Sequence, residues 1–307
     1  MMERTVRGVL LAQQVQGDSP KGVAITTSAY LMWGFAPIFW KFLKGYPPFE
    51  LLAHRIFWAL LVALAIMLAL GRLDKLKAAL RNKKTRTALF WTTLIIAINW
   101  FTYMYAVLTD RILQTSLGYY INPLISIFLG MIFLGERMRP LQWTAVGLAF
   151  AGVAWMTLLG GGLPVLSIVI ALSFGFYGLL RKKAEVDGLT ALGVETLYLA
   201  GFCLAYIIYL EATGAGSFLP ADIGLKLMFL STGLITAVPL LLFGIGLRSI
   251  SLRTLGFLQY SAPSIAFCIG VFLYDEPFGK AQLAAFGCIW LALVIYTAES
   301  LYRKRGR

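Results

Sequence analysis

The chain has 307 residues, of which 59% are hydrophobic and 13% charged, whereas a soluble globular protein carries about 25% charged residues. This composition leaves too little polar surface for a water-soluble fold of that size, and it equally excludes intrinsic disorder. The formal net charge of +13 comes from basic residues in short clusters between long apolar runs. That pattern is typical of membrane topology and argues against a nucleic-acid partner.

Ten apolar stretches are long enough to cross a bilayer, since one crossing takes about 20 residues. Each is predicted to be a helix, because lipid offers an isolated backbone no hydrogen-bond partners. The connections between them are short, so any function must be built from the helices. In chain order, these predicted spans 1 to 10 cover residues 22–43, 49–70, 88–107, 112–134, 141–159, 163–180, 189–210, 225–247, 254–273 and 281–300.

The lysines and arginines predict the orientation of the chain. Most of the 27 basic residues fall on one side if the amino terminus is cytoplasmic, and cytoplasmic loops are enriched in these residues. We therefore expect residues 1–20 to form a cytoplasmic tail and residues 301–307 a second, basic one. An even number of spans agrees with two termini on the same side.

The two halves of the chain match each other, which predicts a tandem repeat with units at residues 21–160 and 161–300. Each unit has five spans, and because five is odd the second unit must enter the membrane from the opposite side. Such inverted repeats suit alternating access in transporters. The matched pairs include Tyr120 with Tyr260, Pro123 with Pro263, Gly130 with Gly270 and Glu136 with Glu276 at an offset of 140, and Gly34 with Gly175 at an offset of 141.

Polar and aromatic side chains inside the spans are the candidates for a binding site. A charged side chain there costs about 2.5–3.5 kcal/mol on insertion scales and needs a partner or a wet cavity. Aromatic walls with neutral hydrogen-bonding groups suit a small uncharged or zwitterionic organic molecule. The predicted substrate-binding residues are Trp33, Asn99, Trp100, Tyr103, Tyr119, Asn122, Tyr177, Gln259 and Tyr260.

Ionisable residues within the spans are predicted to act in gating or coupling. His54 and Glu195 are related by the repeat, so the inversion places them at opposite ends of the bundle. Glu195 is the candidate for proton coupling and is expected to meet Arg181 or Lys182, with a structural ion pair as the alternative. For His54 a structural histidine is favoured, and for Arg55 a snorkelling residue and a substrate anchor both stay open.

Prolines are predicted to interrupt helices beside these clusters. Pro123 and Pro263 are related by the repeat, and each frees the carbonyl four residues earlier, those of Tyr119 and Gln259. Discontinuous helices at matching positions of two repeats point to a binding site near the middle of the membrane.

Enzyme signatures are missing from the sequence. It has one histidine and three cysteines without metal-ligand spacing, no phosphate-binding glycine loop ahead of a lysine, and no Gly-x-Ser-x-Gly motif. We therefore expect no enzyme, no cofactor and no metal site.

A set of short motifs is distributed over residues 22–300. The most specific is the run from Ser116 to Pro123 in span 4, and the others include Trp33-Gly34, His54-Arg55, Asn99-Trp100, Phe133-Leu134-Gly135-Glu136-Arg137, Glu195-Thr196 and Gln259-Tyr260. In these motifs the chain resembles the RarD-type branch of the EamA transporters, in the drug/metabolite transporter superfamily. The resemblance implies an all-α integral membrane fold with ten helices in two inverted EamA repeats, and carrier activity in the bacterial inner membrane.

Three functions remain open. The leading expectation is export of a small neutral or zwitterionic molecule (an amino acid, drug or metabolite) by alternating access, with the lipid bilayer and protons as further partners. The alternative is a carrier for anionic or phosphorylated metabolites that are anchored by Lys41, Arg55 and Arg181. A membrane-embedded lipid enzyme would need His54 and Glu195 within reach of one substrate atom.

Overall fold

The computed structural model describes residues 19–134, 140–159, 162–184, 186–246, 249–250, 254–255 and 258–305. Residues 1–18 of the predicted tail at 1–20, and also Glu136, lie outside these residues. The helices are α1 (Pro20–Phe42), α2 (Pro48–Ala69), α3 (Leu73–Arg81), α4 (Lys83–Leu108), α5 (Ile112–Leu134), α6 (Pro140–Leu159), α7 (Val165–Ala184), α8 (Gly188–Ala212), α9 (Ile223–Gly246), α10 (Ser261–Cys268), which continues as a π-helical turn (Ile269–Leu273), and α11 (Lys280–Arg305).

Seven of these helices, α1, α2, α4, α5, α6, α8 and α9, are long and apolar enough to cross a membrane. Three shorter apolar helical stretches follow at Val165–Arg181, Ser261–Leu273 and Lys280–Ile295. Large apolar side chains lie exposed on the outside, such as Leu158 at 80% and Phe202 at 78%, as expected for surfaces that contact lipid. The predicted all-helical membrane fold is confirmed, whereas the number of crossings stays a prediction.

The structure differs from the sequence prediction at α3, a short helix inside the basic connection that follows span 2. Leu76 and Ala79 lie one turn apart on α3 and are buried, while the charged residues occupy its other faces. A Cβ atom at Gly193 of α8 would lie 3.2 Å from Leu76 Cδ1. The hydropathy of the segment as a whole is low, so only this narrow apolar stripe signals the helix.

Pro263 lies directly after an interruption of the helical path, because residues 254, 255 and 258 are helical and residues 259–260 form a turn. The helix α10 begins at Ser261, so this proline lies in the first helical turn, where a missing N–H is tolerated. Pro37, Pro123 and Pro239 do lie inside helices, in α1, α5 and α9.

The membrane helices pack in a regular set of pairs. Helix α2 packs against α8, α5 against α10, and α6 against α11, while α1 contacts α9 and α10, and α7 contacts α4 and α5. Several of these contacts require glycine, and two of them are related by the predicted repeat. A Cβ atom at Gly34 of α1 would lie 2.9 Å from Ile265 of α10, and one at Gly175 of α7 would lie 2.7 Å from Ile125 of α5. The backbones of these helices therefore approach more closely than an alanine would allow.

Candidate functional site

A buried arginine lies where α1, α2, α4 and α9 meet. Arg55 of α2 is 9% exposed, and its Nε donates a hydrogen bond of 3.1 Å to Thr236 Oγ1 of α9. Its guanidinium carbon lies 5.2 Å from the ring centroid of Trp40 and 4.7 Å from that of Trp100. The cation is thus held by one neutral hydroxyl and two aromatic rings.

The charge of Arg55 has no partner of opposite sign in the described part of the chain. It takes part in none of the salt bridges there, and its Nη1 is buried without a hydrogen-bond acceptor. Tyr103 and Tyr119 are close enough to interact with it electrostatically, and the hydroxyl of Tyr103 is also buried and unpartnered. Unsatisfied donors beside a buried cation make this cluster a candidate site for an anionic group.

Three of the predicted substrate-binding residues, Trp100, Tyr103 and Tyr119, belong to this region. Trp100 and Tyr103 are on α4, and the ring of Tyr103 lies 6.1 Å from that of Tyr119 on α5. Asn122 follows Tyr119 by three residues, on the same face of α5, and its Oδ1 is buried without a donor. We name Arg55, Trp40, Trp100, Tyr103 and Tyr119 the Arg55 cluster.

Asn99 and Trp33 make contacts between helices outside the Arg55 cluster. Asn99 of α4 is buried, and its Nδ2 donates to Ile170 O at 3.1 Å and to Ser173 Oγ at 2.9 Å, which ties α4 to α7. The ring of Trp33 on α1 lies 5.7 Å from that of Phe243 on α9. A ligand-binding role for both residues stays a prediction.

Tyr260 and Gln259 precede α10. The ring of Tyr260 stacks on that of Tyr120 of α5 at 6.4 Å, and Tyr120 hydrogen-bonds through its hydroxyl to Ser264 Oγ at 2.6 Å. The two tyrosines occupy matching positions of the predicted repeat. Their stacking brings the matching helices α5 and α10 into direct contact.

His54 lies in an aromatic environment next to Arg55. Its Nδ1 accepts a hydrogen bond of 3.2 Å from Trp58 Nε1, and its ring lies 5.2 Å from that of Phe218 and 4.6 Å from that of Phe229. These contacts are those of a histidine that supports helix packing, the role that the sequence favoured. The Nε2 atom of His54 is buried and has no hydrogen-bond partner in the described residues.

Glu195 of α8 is 2% exposed and binds two hydroxyl groups. Its Oε1 accepts from Thr92 Oγ1 of α4 at 2.7 Å, and its Oε2 accepts from Tyr177 OH of α7 at 3.2 Å. Arg181 is near enough for an electrostatic interaction, but no described salt bridge joins it to Glu195. The expected ion pair is therefore replaced by two hydroxyl contacts, and the side chain of Lys182 lies outside the described residues.

The lipid-enzyme alternative requires a juxtaposition that the structure does not contain. His54 contacts Phe218, in the connection between α8 and α9, whereas Glu195 contacts Thr92 near the beginning of α4 and Tyr177 near the end of α7. These contacts lie at opposite ends of the bundle, so the two side chains do not face one substrate atom.

A charged cluster closes one end of the bundle. Lys41 at the end of α1 pairs with Asp110, in the turn between α4 and α5, and Lys44 Nζ lies 2.5 Å from the other oxygen of this carboxylate. Lys41 Nζ also lies 4.7 Å from the ring centroid of Tyr274. The ammonium of Lys41 is therefore already engaged, which weakens its predicted role as an anion anchor.

Asp110 gives this cluster a pH dependence. The hydrogen bond from Lys41, with that from Lys44, holds the pKa of Asp110 below its ordinary value of 3.8. The pKa of Asp110 is lower in the folded protein than in the unfolded chain. The ionised carboxylate therefore stabilises the fold above about pH 4, and this stabilisation is lost as the pH falls through the folded pKa. We expect acidification below about pH 4 to lower the thermal unfolding midpoint of the wild type more than that of Asp110→Asn. Equal responses of the two proteins would contradict the assignment, and added salt should reduce the difference.

A shallow apolar groove of about 310 Å³ lies between α2 and α8. Several of its side chains are largely exposed, Phe49 at 61% and Phe202 at 78%, so the groove opens towards lipid. It is lined by Phe49, Leu52, Ala53, Ile56, Phe202, Cys203 and Tyr206.

Comparison with known proteins places the chain in a family. The sequence profile of the EamA-like transporter family matches residues 20–158. Over 290 residues the chain is 40% identical to an uncharacterized transporter of Vibrio cholerae, covering 93% of this chain and 95% of that protein. It is 39% identical over 292 residues to the Protein RarD of Streptomyces exfoliatus, and this match covers 95% of this chain and 93% of that protein. The chain belongs to the RarD-type EamA transporters.

A solved crystal structure shares the fold of this EamA transporter. It covers 93% of this chain and 99% of its own, with a TM-score of 0.58 and 21% sequence identity. The family that the motifs indicated is confirmed, and the protein is a multi-pass membrane transporter.

Proposed function

We propose that this RarD-type transporter carries small organic molecules with a single anionic group, such as a carboxylate, and that Arg55 binds that group. The observation that carries the proposal is the buried guanidinium of Arg55, which has an unpartnered Nη1 and no described salt bridge. Organic acids and zwitterionic amino acids both have the required group, whereas neutral molecules do not.

Electrostatics favours an anionic cargo over a neutral one. A cation buried without a counter-ion carries a desolvation cost of several kcal/mol, and a bound carboxylate would offset part of that cost. The Nε of Arg55 is occupied by Thr236, which leaves the outer nitrogens of the planar guanidinium to face a ligand. Two parallel N–H groups fit the two oxygens of a carboxylate.

The aromatic rings of the Arg55 cluster favour a cargo with an apolar or aromatic body. Trp40 and Trp100 flank the guanidinium, and rings of this kind bury large apolar area. A phosphate with two charges is a weaker candidate, because Lys41 is paired with Asp110 and Arg181 lies beside Glu195. Within the Arg55 cluster the described residues supply one cation, which suits a ligand with one negative charge.

Alternating access of two inverted five-helix units is the mechanism that we propose for transport. The pairs α2 with α8, α5 with α10 and α6 with α11 each join corresponding helices of the two units, which is consistent with a pseudo-two-fold axis that passes between them. The contacts of Gly34 with Ile265 and of Gly175 with Ile125 are related by the same repeat. Equivalent packing in both units supports two near-equivalent states, open to opposite sides.

We also propose a membrane, an orientation and a direction for this transport. The lysine and arginine bias supports cytoplasmic termini in a bacterial inner membrane, with the Lys41–Asp110 cluster at the outer end. Export is the direction that we propose for the cargo.

A ligand panel tests the anionic preference. The thermal stability of the purified full-length protein is measured with L-phenylalanine, N-acetylphenylalanine, phenylalaninamide and glucose 6-phosphate. We expect the two carboxylates to stabilise the protein, because a ligand at 100 times its dissociation constant adds about 2.7 kcal/mol, and the amide to have little effect. Stabilisation by the amide that equals stabilisation by the acids would contradict the proposal.

A further inference from the structure

We propose that Glu195 is a proton-binding site of this transporter, separate from the Arg55 cluster, and that it gains and loses a proton during the transport cycle. The link to the cycle rests on the proposed function, whereas the binding of a proton does not. The proposal stands on the hydrogen-bond partners of the carboxyl group and on the three helices that it joins.

The contacts of Thr92 accommodate Glu195 in both protonation states. Thr92 Oγ1 lies 2.7 Å from Glu195 Oε1 and 3.0 Å from the carbonyl oxygen of Leu89. A hydroxyl has one proton and therefore donates to only one of these oxygens. When Glu195 is ionised, Thr92 donates to the carboxylate. When Glu195 is protonated, its O–H donates to Thr92, which donates to Leu89, and no heavy atom has to move.

The other two buried glutamates of the described residues have partners of a different kind. Both oxygens of Glu276 accept from backbone N–H groups, those of Ile112 at 2.6 Å and Leu113 at 2.8 Å. Glu50 Oε1 accepts from the backbone N–H of Ser217 at 2.6 Å, and its Oε2 accepts from the hydroxyl of the same serine at 2.8 Å. An N–H group cannot accept a hydrogen bond in return, so both oxygens of Glu276 and one oxygen of Glu50 have partners that can only donate. Among the glutamates that the structure describes, Glu195 alone has hydroxyl partners on both oxygens.

The surroundings of Glu195 contain few other ionisable groups. The faces of α2 and α9 towards α8 are apolar, with Met67 and Ala237 in the shared core. In the described residues, Tyr177 and Arg181 of α7 are the titratable or charged groups next to Glu195. Arg86 near the beginning of α4 and Lys75 on α3, which pairs at 3.4 Å with Asp187 of the α8 cap, lie at the same end of the bundle. The other charged side chains of α3 and of the beginning of α4 are exposed, and His54 and Arg55 of α2 lie towards the opposite end.

Protonation would change the forces between α4, α7 and α8. The ionised carboxylate attracts Arg181, whose buried Nη1 has no acceptor in the described residues, and protonation removes this attraction. Glu195 also sits on the helix that packs against α2, which carries Arg55. The proton on Glu195 and the cargo at Arg55 would thus bind at opposite ends of the packed pair α8 and α2. A movement of this pair would couple proton binding to cargo binding.

Infrared spectroscopy tests proton binding without any cargo. The purified full-length protein in lipid nanodiscs is titrated, and the C=O stretching band of protonated carboxyl groups is followed against pH. We expect one pH-dependent component to be absent from Glu195→Gln and retained in Glu211→Gln, a matched control whose carboxylate accepts from the N–H groups of Phe218 and Leu219. A titration of Glu195→Gln that superimposes on that of the wild type would overturn the proposal.

Proteoliposomes test the link to transport with N-acetylphenylalanine as the probe. We expect a pH gradient to stimulate transport by the wild type and Glu211→Gln, and this stimulation to be lost in Glu195→Gln. Full retention of the gradient dependence in Glu195→Gln would overturn the coupling role. If the wild type does not carry the probe, the proposed cargo class is wrong, and the infrared titration still decides proton binding.

Discussion

Replacing Arg55 by glutamine is expected to weaken binding of carboxylate ligands by about 100-fold or more, equivalent to about 3 kcal/mol. Glutamine retains hydrogen-bonding groups but loses the charge and the paired N–H donors. Arg55→Lys should bind at an intermediate level, because it retains the charge without the planar geometry. The measurement is the ligand-dependent shift of the unfolding temperature, with Arg81→Gln, an exposed arginine on α3, as the matched control.

The stability of the ligand-free variant separates a binding role from a structural one. Arg55 is buried without a described counter-ion, so its removal should leave the ligand-free protein as stable as the wild type or more stable. A large loss of stability without ligand, together with unchanged carboxylate binding, would show that this arginine only supports helix packing.

Replacing Glu276 by alanine is expected to destabilise the protein by about 2–5 kcal/mol. The side chain is 6% exposed and accepts from the N–H groups of Ile112 and Leu113. These two donors begin α5, so the carboxylate also stabilises the positive end of this helix. Alanine would leave both N–H groups buried and unpaired.

Chemical unfolding in detergent measures this effect. The adjacent Asp275 is exposed and has a positive φ of 49°, which asparagine tolerates well. Asp275→Asn therefore removes a carboxylate from the same connection and should stay within about 0.5 kcal/mol of the wild type. An equally small effect of Glu276→Ala would contradict the capping role.

The sequence predicted the membrane helices well, because hydropathy over about 20 residues is a strong signal. It also singled out Arg55 and Glu195, since ionisable residues inside spans are rare and costly. The helix α3 was missed because its apolar stripe is short. Pro263 indicated an interrupted helix, but the sequence did not show that the turn lies at residues 259–260, ahead of the proline.

The partners of the ionisable residues could not be predicted from the sequence. Glu195 was expected to pair with Arg181, which is nearby in sequence, but it hydrogen-bonds to Thr92, on a helix of the other predicted repeat. Thr236, which holds Arg55, was missed for the same reason. The hydroxyl of a threonine in an apolar helix can donate to a carbonyl oxygen of its own helix. The presence of a threonine therefore does not reveal a long-range contact.

The most direct test of the Arg55 site is a crystal structure with N-acetyl-4-bromophenylalanine, in which anomalous scattering locates the bromine. We predict the carboxylate of the ligand within hydrogen-bonding distance of Arg55, with the brominated ring beside Trp40 or Trp100. Ligand bound only in the lipid-facing groove at Phe49 and Phe202, with no carboxylate at Arg55, would contradict the account.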